Sequence, residues 1–346
     1  MSSPELQGKD GVLIKTVEMH TGGEPLRVVV SGYPRLCGDT LLDKRRYARD
    51  HLDHLRRALM FEPRGHKDMY GAILVEKDAD KADLAVLFIH CEGYSTMCGH
   101  AMLSLGRYAL DYGLVPRASP ETEVKIQCPC GLVTAHVQYD SASGKSGRVR
   151  FKSVPSFAFA VNQKIEINGR GPVVYDLGYG GAFYALVSVQ QFNVDLKTTP
   201  IQELLHLAND IFYRVKNITT LTHPESADLA FLYGVILTDG CDTEGVSNNI
   251  CCFAEAQQVD RSPCGSGVAA RLAVQYHKGQ LKLDQERLIV QPKVGSEMRG
   301  KVVSTVTFGS YEQAVVVEVS GWGHYTGRGE YWLEEGDPLS TGLLVE

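Results

Sequence analysis

Two cysteines, Cys98 and Cys264, stand in matching contexts in the sequence. Each is followed by glycine and then by an alanine- and leucine-rich stretch with helical spacing, "MCGHAMLSLGRYALDYG" and "SPCGSGVAARLAVQYHKG". The first turn of a helix presents unpaired backbone N–H groups and the positive end of the helix dipole. Because a thiolate is stabilised there, the sequence predicts that both thiols ionise below the free-cysteine pKa of about 8.5.

The residues that follow the cysteines favour binding of a carboxylate. Gly265 lets backbone N–H groups approach an anion because no Cβ intervenes. His100 and Ser266 occupy equivalent positions, two residues after each cysteine. A carboxylate held at such a helix start makes its α-proton more acidic, so one thiolate can remove that proton while the other thiol protonates the opposite face. The pattern predicts inversion at a carbon atom, without a metal or an organic cofactor.

The other cysteines allow a simpler interpretation. A free cysteine in a reducing compartment is usually a small buried apolar residue. Cys128 and Cys130 form a "CPC" motif, but no second Cys/His pair follows at zinc-site spacing, so we predict ordinary packing in a strand whose side chains alternate in and out, and no metal. A non-catalytic, thiol-rich binding protein therefore remains an alternative.

The composition limits the partners. The chain has 346 residues, of which 44% are hydrophobic and 22% charged, which is typical of a globular protein with two domains. A net charge of −6 argues against nucleic acid or a membrane surface as partner. The sequence has no apolar run long enough to span a membrane and no secretory signal. With an odd number of cysteines, nine, these features predict a reducing, cytoplasmic compartment.

The order of predicted elements repeats once along the chain. Strands, a helix, more strands, a cysteine-started helix and further strands occur in each half. One early helix is predicted over "LLDKRRYARDHLDHLRRALM", residues 41–60. The repeat indicates a diverged duplication, which gives an α+β protein with two domains that face each other. We place the domains at residues 10–158 and 159–326.

Several blocks resemble one known family. "MCGHA" and "DRSPCGSG" resemble the two active-site signatures of the proline racemase family, and "MHTGGEP", "EPRGHKDMYG" and "YGGAFYA" resemble further blocks of that family. The blocks occur in the expected order over nearly the whole chain. The resemblance implies a diaminopimelate-epimerase-like fold, with two pseudo-symmetric α/β domains and the active site in the cleft between them. It also implies that the C-terminal strand, residues 327–346, returns to the first domain, that no cofactor is used and that the protein is a homodimer.

The same resemblance implies a small-molecule substrate, proline or hydroxyproline, and a set of residues that act on it. By this resemblance, Cys98 and Cys264 form the acid/base pair, and Gly99 and His100 contact the substrate next to the first cysteine. Asp260 binds the ring nitrogen of the substrate, and Gly265 and Ser266 bind its carboxylate.

One position separates two possible reactions. "MFEPRGHKDMYGA", "CPCGLVTA", "LAFLYG" and "ARLAVQYHKG" look most like the family's animal trans-3-hydroxy-L-proline dehydratases, which typically carry threonine where this chain has Cys264. A dehydratase needs one base, here Cys98, and loss of the 3-hydroxyl then gives pyrroline-2-carboxylate. A second thiol favours a racemase or epimerase instead. We expect Cys264 to decide the reaction type, and the overall likeness to the dehydratases to decide the substrate class.

Overall fold

The computed structural model describes residues 11–167, 169–243, 245–253, 255 and 257–344. It contains long antiparallel strand pairs, a few parallel pairs and five α-helices within those residues, which confirms the predicted α+β class. In the first half the elements are β1 (Gly11–Thr21), β2 (Glu24–Ser31), α1 (Leu41–His51), α2 (Asp53–Met60), β3 (Tyr70–Val75), β4 (Leu84–His90), α3 (Gly99–Asp111), β5 (Glu121–Cys128), β6 (Gly131–Asp140) and β7 (Lys145–Lys152).

The second half continues with the same kinds of element, and it includes two short 3₁₀ turns at Val189–Gln191 and Ala227–Leu229. Its strands and helices are β8 (Phe157–Ile167), β9 (Gly171–Tyr179), β10 (Phe183–Ser188), α4 (Ile201–Ile218), β11 (Leu232–Thr238), β12 (Val246–Phe253), β13 (Gln258–Val259), α5 (Gly265–His277), β14 (Arg287–Gln291), β15 (Ser296–Phe308), β16 (Tyr311–Gly321) and β17 (His324–Glu334).

Each cysteine-started helix is the buried centre of its half. In α3 only Arg107 and Asp111 are not buried, and the helix packs against β1, β5, β6 and β7. In α5 residues 265–275 are all buried, and the helix packs against β8, β9, β15 and β16. A helix that is apolar or small on every face is stable only when it is enclosed. The alanine- and glycine-rich sequences of both helices let the strands pack closely around them.

Strand pairing connects the two halves. The C-terminal strand β17 runs antiparallel to β1 along its whole length, from Gly11 opposite Glu334 to His20 opposite His324. Strand β7 pairs with β16 from the second half. The predicted domain limits, 10–158 and 159–326, stay predictions, but these pairings place the last strand, β17, beside the first strand, β1.

Two local predictions were wrong. The single helix predicted over 41–60 is two helices, α1 and α2, separated at Leu52, whose φ of −124° and ψ of 16° leave the helical region. The break lets both short helices bury their apolar residues in the same cluster. The "CPC" motif is not a continuous strand, because Cys128 ends β5 and Cys130 lies in the turn before β6. Proline has no N–H for the strand ladder, which favours the turn.

None of the helices within the described ranges is long and apolar enough to cross a lipid bilayer.

Candidate active site

The starts of α3 and α5 meet at two glycines. A Cβ atom built on Gly99 would lie 2.4 Å from the Cα of Gly265, and one built on Gly265 would lie 2.7 Å from the Cα of Gly99. Real Cβ atoms do not come this close to other heavy atoms, so glycine is required at both positions for this packing. The two preceding residues, Cys98 and Cys264, consequently border the same pocket.

All seven residues that the sequence singled out line this pocket. Its free volume is about 10 Å³, roughly the space that one water molecule needs. The arrangement is therefore closed, and an amino acid can enter only after the surrounding walls move apart. Six further residues complete the lining: Glu24, Tyr70, Met97, Tyr184, Tyr233 and Phe253.

Cys98 caps α3. Its sulfur accepts a hydrogen bond from the backbone N–H of Ala101 at 3.4 Å. Burial nevertheless raises the pKa of Cys98 well above its usual value, and the Ala101 N–H and a hydrogen bond with Tyr70 only partly offset this. The prediction that the helix start lowers the pKa of this thiol was therefore wrong, because removal of the thiolate from water outweighs the helix N–H groups.

His100 is a hydrogen-bond partner of Cys98. Its Nδ1 lies 3.0 Å from the Cys98 sulfur, and its Nε2 lies 3.2 Å from the carbonyl oxygen of Pro25. A carbonyl only accepts, so Nε2 carries the proton and Nδ1 presents its lone pair to the thiol. Burial lowers the pKa of His100 to about 3, which keeps the imidazole neutral. The geometry therefore has the Cys98 thiol donate a hydrogen bond to His100 Nδ1, and the thiol keeps its proton.

Cys264 has a strained backbone and different partners. Its φ of 66° lies in the left-handed region that non-glycine residues rarely adopt. Its sulfur lies 3.6 Å from the hydroxyl of Tyr184 and 4.0 Å from Ser266 Oγ. Tyr184 and Ser266 are themselves hydrogen-bonded at 2.7 Å. Strain of this kind is often stored at functional sites, where the surrounding contacts impose it.

Asp260 is buried beside Cys264. One carboxylate oxygen accepts the backbone N–H of Ser262 at 2.7 Å. Burial raises the pKa of Asp260 to about 6, against hydrogen bonds with Ser262 and Cys264 that lower it. Asp260 is therefore ionised at neutral pH and can accept from the Cys264 thiol or bind a cation. Each cysteine thus has a neighbouring hydrogen-bond acceptor, His100 for Cys98 and Asp260 for Cys264.

Comparison with known proteins gives the family. The sequence profile of the family described as "Proline racemase" matches residues 16–344. The chain belongs to the proline racemase family. It is 53% identical to the trans-L-3-hydroxyproline dehydratase of Xenopus tropicalis, over 99% of this chain and 98% of that protein. It is 52% identical to the trans-3-hydroxy-L-proline dehydratase of Homo sapiens, over 96% and 95% respectively.

Solved structures agree with this assignment. A hydroxyproline epimerase from Agrobacterium vitis, with bound trans-4-hydroxy-L-proline, superposes with a TM-score of 0.90 at 26% identity, covering 96% of this chain and 95% of that one. A PhzF-family phenazine biosynthesis protein from Bacillus anthracis, at a TM-score of 0.56 and 11% identity, shares the fold alone. The predicted family and the diaminopimelate-epimerase-like fold class are both confirmed.

Sequence reasoning missed four polar residues of this proline racemase family pocket. Glu24, Tyr70, Tyr184 and Tyr233 lie in the blocks "MHTGGEP", "EPRGHKDMYG", "YGGAFYA" and "LAFLYG", but no local pattern showed that their side chains line the same pocket as the cysteines. Tyr70 packs edge-on against the His100 ring at 4.9 Å, and its hydroxyl is hydrogen-bonded to Ser95. The blocks were therefore a usable signal for these residues, whereas their roles required the structure.

The described residues contain no group of three or more His, Cys, Asp or Glu side chains arranged to hold a metal ion. Cys128 and Cys130, the motif considered above, are both buried, and their sulfur atoms lie 3.5 Å apart.

Proposed function

We propose that this protein is a cofactor-independent racemase or epimerase that inverts Cα of proline or hydroxyproline. One observation carries the proposal: Cys98 and Cys264, at the starts of two helices that meet, border a single closed pocket. A substrate held between them would present opposite faces of Cα to the two sulfurs. One sulfur can then act as base while the other acts as acid.

The neighbouring groups support this division of labour. His100 Nδ1 lies 3.0 Å from the Cys98 sulfur and orients it, and Cys98, once its proton has passed to solvent, takes the Cα proton as a thiolate. The electron pair left on Cα spreads into the substrate carboxylate, which the N–H groups at the helix starts stabilise. The Cys264 thiol then protonates the other face of Cα, which leaves a thiolate beside Asp260. The enzyme ends in the form that processes the opposite isomer, and proton exchange with solvent resets it.

Sequence similarity favours a second reaction, the dehydration of trans-3-hydroxy-L-proline. Relatives named as dehydratases of this amino acid are 52–53% identical to the chain over nearly its full length. In that reaction Cys98 takes the Cα proton, the C2–C3 double bond forms, and the 3-hydroxyl leaves C3 as water when it receives the proton that Cys98 took up. The product is pyrroline-2-carboxylate. Cys264 has no required role in this sequence of steps.

Proton NMR in D₂O distinguishes the two reactions. The enzyme is incubated separately with L-proline, trans-4-hydroxy-L-proline and trans-3-hydroxy-L-proline. We expect deuterium at Cα together with the inverted isomer for at least one of the first two. Faster formation of pyrroline-2-carboxylate from the third would contradict the epimerase assignment and favour the dehydratase. A lack of exchange and of product with all three would contradict both and favour a thiol-rich binding protein.

Variants of the two cysteines sharpen this test. Cys98→Ala should abolish both reactions, because both begin with the same base. Cys264→Thr should reduce inversion by roughly a hundredfold or more, the size expected for loss of a positioned acid, while leaving dehydration within a fewfold of wild type. Cys264→Ala is the matched control, because it removes the thiol without adding a branched side chain at a positive φ.

A further inference from the structure

Glu24 is a buried carboxyl group in the pocket. It is the first residue of β2, it is 1% exposed, and it lines the same space as both cysteines. One of its oxygens, Oε2, accepts the backbone N–H of Arg261 at 2.8 Å and lies 3.5 Å from the Arg261 guanidinium. The other oxygen, Oε1, accepts no hydrogen bond from any residue that the structure describes. One acceptor atom of this buried side chain is therefore available to a ligand.

Glu24 lies beside Asp260, although the two are far apart in the sequence. The backbone N–H that Glu24 accepts belongs to Arg261, the residue directly after Asp260. Burial, and then the charge of Asp260, raise the pKa of Glu24 well above its usual value. Two carboxyl groups so close in a closed pocket repel each other when both are ionised, so a cation between them would be bound strongly.

The ring nitrogen of proline-type amino acids matches this pair. As a secondary ammonium it carries one positive charge and two N–H donors, whereas a single carboxylate at Asp260 accounts for one donor. We propose that Glu24 and Asp260 each accept one of the two N–H groups of the substrate's ring ammonium. The proposal rests on the substrate class proposed above, proline or hydroxyproline, and holds for inversion and for dehydration alike.

The surrounding charges are consistent with this arrangement. Asp68, from the loop before β3, contacts Arg261 Nη2 at 3.3 Å, so Arg261 is shared between Asp68 and Glu24. The bound ammonium therefore supplies the positive charge that Asp260 otherwise lacks. Asp68 does not line the pocket, and the other titratable side chains that do are Cys98, His100, Cys264, Tyr70, Tyr184 and Tyr233.

Calorimetric binding to the full-length protein tests the proposal. Cys98→Ala serves as the parent, because it lacks the base and does not turn over the ligand. Three amino acids (L-proline, trans-4-hydroxy-L-proline and trans-3-hydroxy-L-proline) are compared with pyrrole-2-carboxylate, a planar carboxylate whose ring nitrogen is neutral and carries one N–H. We then add Glu24→Gln to this parent and measure the amino acid that the parent binds most tightly. Its affinity should fall by roughly tenfold or more, the range for a lost charge-assisted hydrogen bond. Pyrrole-2-carboxylate should change by less than about threefold and so shows that the pocket is intact.

Asp68→Asn is the matched control. It removes a carboxylate from the same arginine but not from the pocket lining. We expect both ligand types to bind this variant within about twofold of the parent. A larger loss of affinity for the amino acid alone would assign the effect to the charge around Arg261 rather than to contact with Glu24, and would overturn the proposal.

The remaining outcomes are also decisive. Unchanged amino acid affinity in Glu24→Gln, or an equal loss of both ligand types, would contradict the assignment of Glu24 and leave the proposed function standing. A Cys98→Ala parent that binds none of the three amino acids, together with a wild type that exchanges none of their Cα protons, would contradict the proposed function and this proposal together.

Discussion

Gly99 and Gly265 are in van der Waals contact at the starts of α3 and α5, so that a methyl group on Gly99 would lie 2.4 Å from the Cα of Gly265. This contact sets the separation of the two helices and therefore of the two cysteines that precede them. The sequence assigned both glycines to substrate contact. The structure gives them a second, packing role that any side chain would prevent.

Gly99→Ala should force the two helix starts apart by roughly 1 Å, because its methyl group needs about 3.5 Å to the nearest carbon. Misplacement of catalytic groups on that scale can reduce the rate about a hundredfold, and the overpacking should lower the free energy of unfolding by about 1–3 kcal/mol. Turnover and urea denaturation measure the two effects. Gly327→Ala is the control, since no heavy atom lies within 4 Å of its added methyl group. Full activity in Gly99→Ala would show that the helix separation is not critical.

His100→Asn should change the rate of Cys98 alkylation by iodoacetamide by less than about threefold near neutral pH. The pKa of His100 is about 3, so the imidazole accepts a hydrogen bond from the thiol without taking its proton, and asparagine keeps an acceptor near the Nδ1 position, 3.0 Å from the sulfur. Activity should fall by about tenfold, the effect of one disturbed hydrogen bond to a reacting group. Mass spectrometry of the Cys98 peptide gives the alkylation rate at several pH values. His223→Asn, which changes another imidazole whose pKa burial lowers to about 4, lies outside the pocket and should behave as wild type.

Asp260→Asn should make the protein more stable above pH 6. The pKa of Asp260 is raised to about 6 in the folded protein, from an ordinary value of 3.8. Below about pH 3 the carboxyl is protonated in both folded and unfolded states, and as the pH rises to 6 the unfolded state ionises first, so wild-type stability falls. The loss corresponds to about 3 kcal/mol, and asparagine avoids it. Urea denaturation at about pH 3 and pH 8 should show the variant's advantage only at the higher pH, and an advantage that grows toward low pH would contradict this.

The same aspartate should control activity at acid pH. An ionised Asp260 is needed to bind the substrate ammonium, so kcat/KM of the wild type should rise through pH 6 as the pH increases. His100 stays neutral over this range because its pKa is about 3, and it should not contribute. Initial rates between pH 5 and pH 8 measure the profile. A wild-type kcat/KM that is independent of pH there would exclude Asp260 as the titrating group.

Tyr184→Phe should affect the Cys264 side of the pocket selectively. It removes the hydroxyl that lies 3.6 Å from the Cys264 sulfur and 2.7 Å from Ser266 Oγ. Inversion should slow by about tenfold, the effect of one lost hydrogen bond to a reacting group, whereas dehydration by Cys98 should change less. Tyr175→Phe, which alters a buried tyrosine outside the pocket, is the control for stability. Equal slowing of both reactions would show that Tyr184 acts on the whole pocket rather than on Cys264.

The sequence by itself determined which residues begin the two central helices and which family the chain belongs to. These conclusions depend on neighbours along the chain: a cysteine, a glycine and then an apolar helical stretch, twice, with strand patterns between. The tertiary structure decided the rest. The raised pKa of Cys98 follows from burial, the contact of Gly99 with Gly265 follows from packing of two halves, and Glu24 comes beside Asp260 only through the fold. Desolvation and contact through space depend on residues that are distant in sequence, so no local pattern could reveal them.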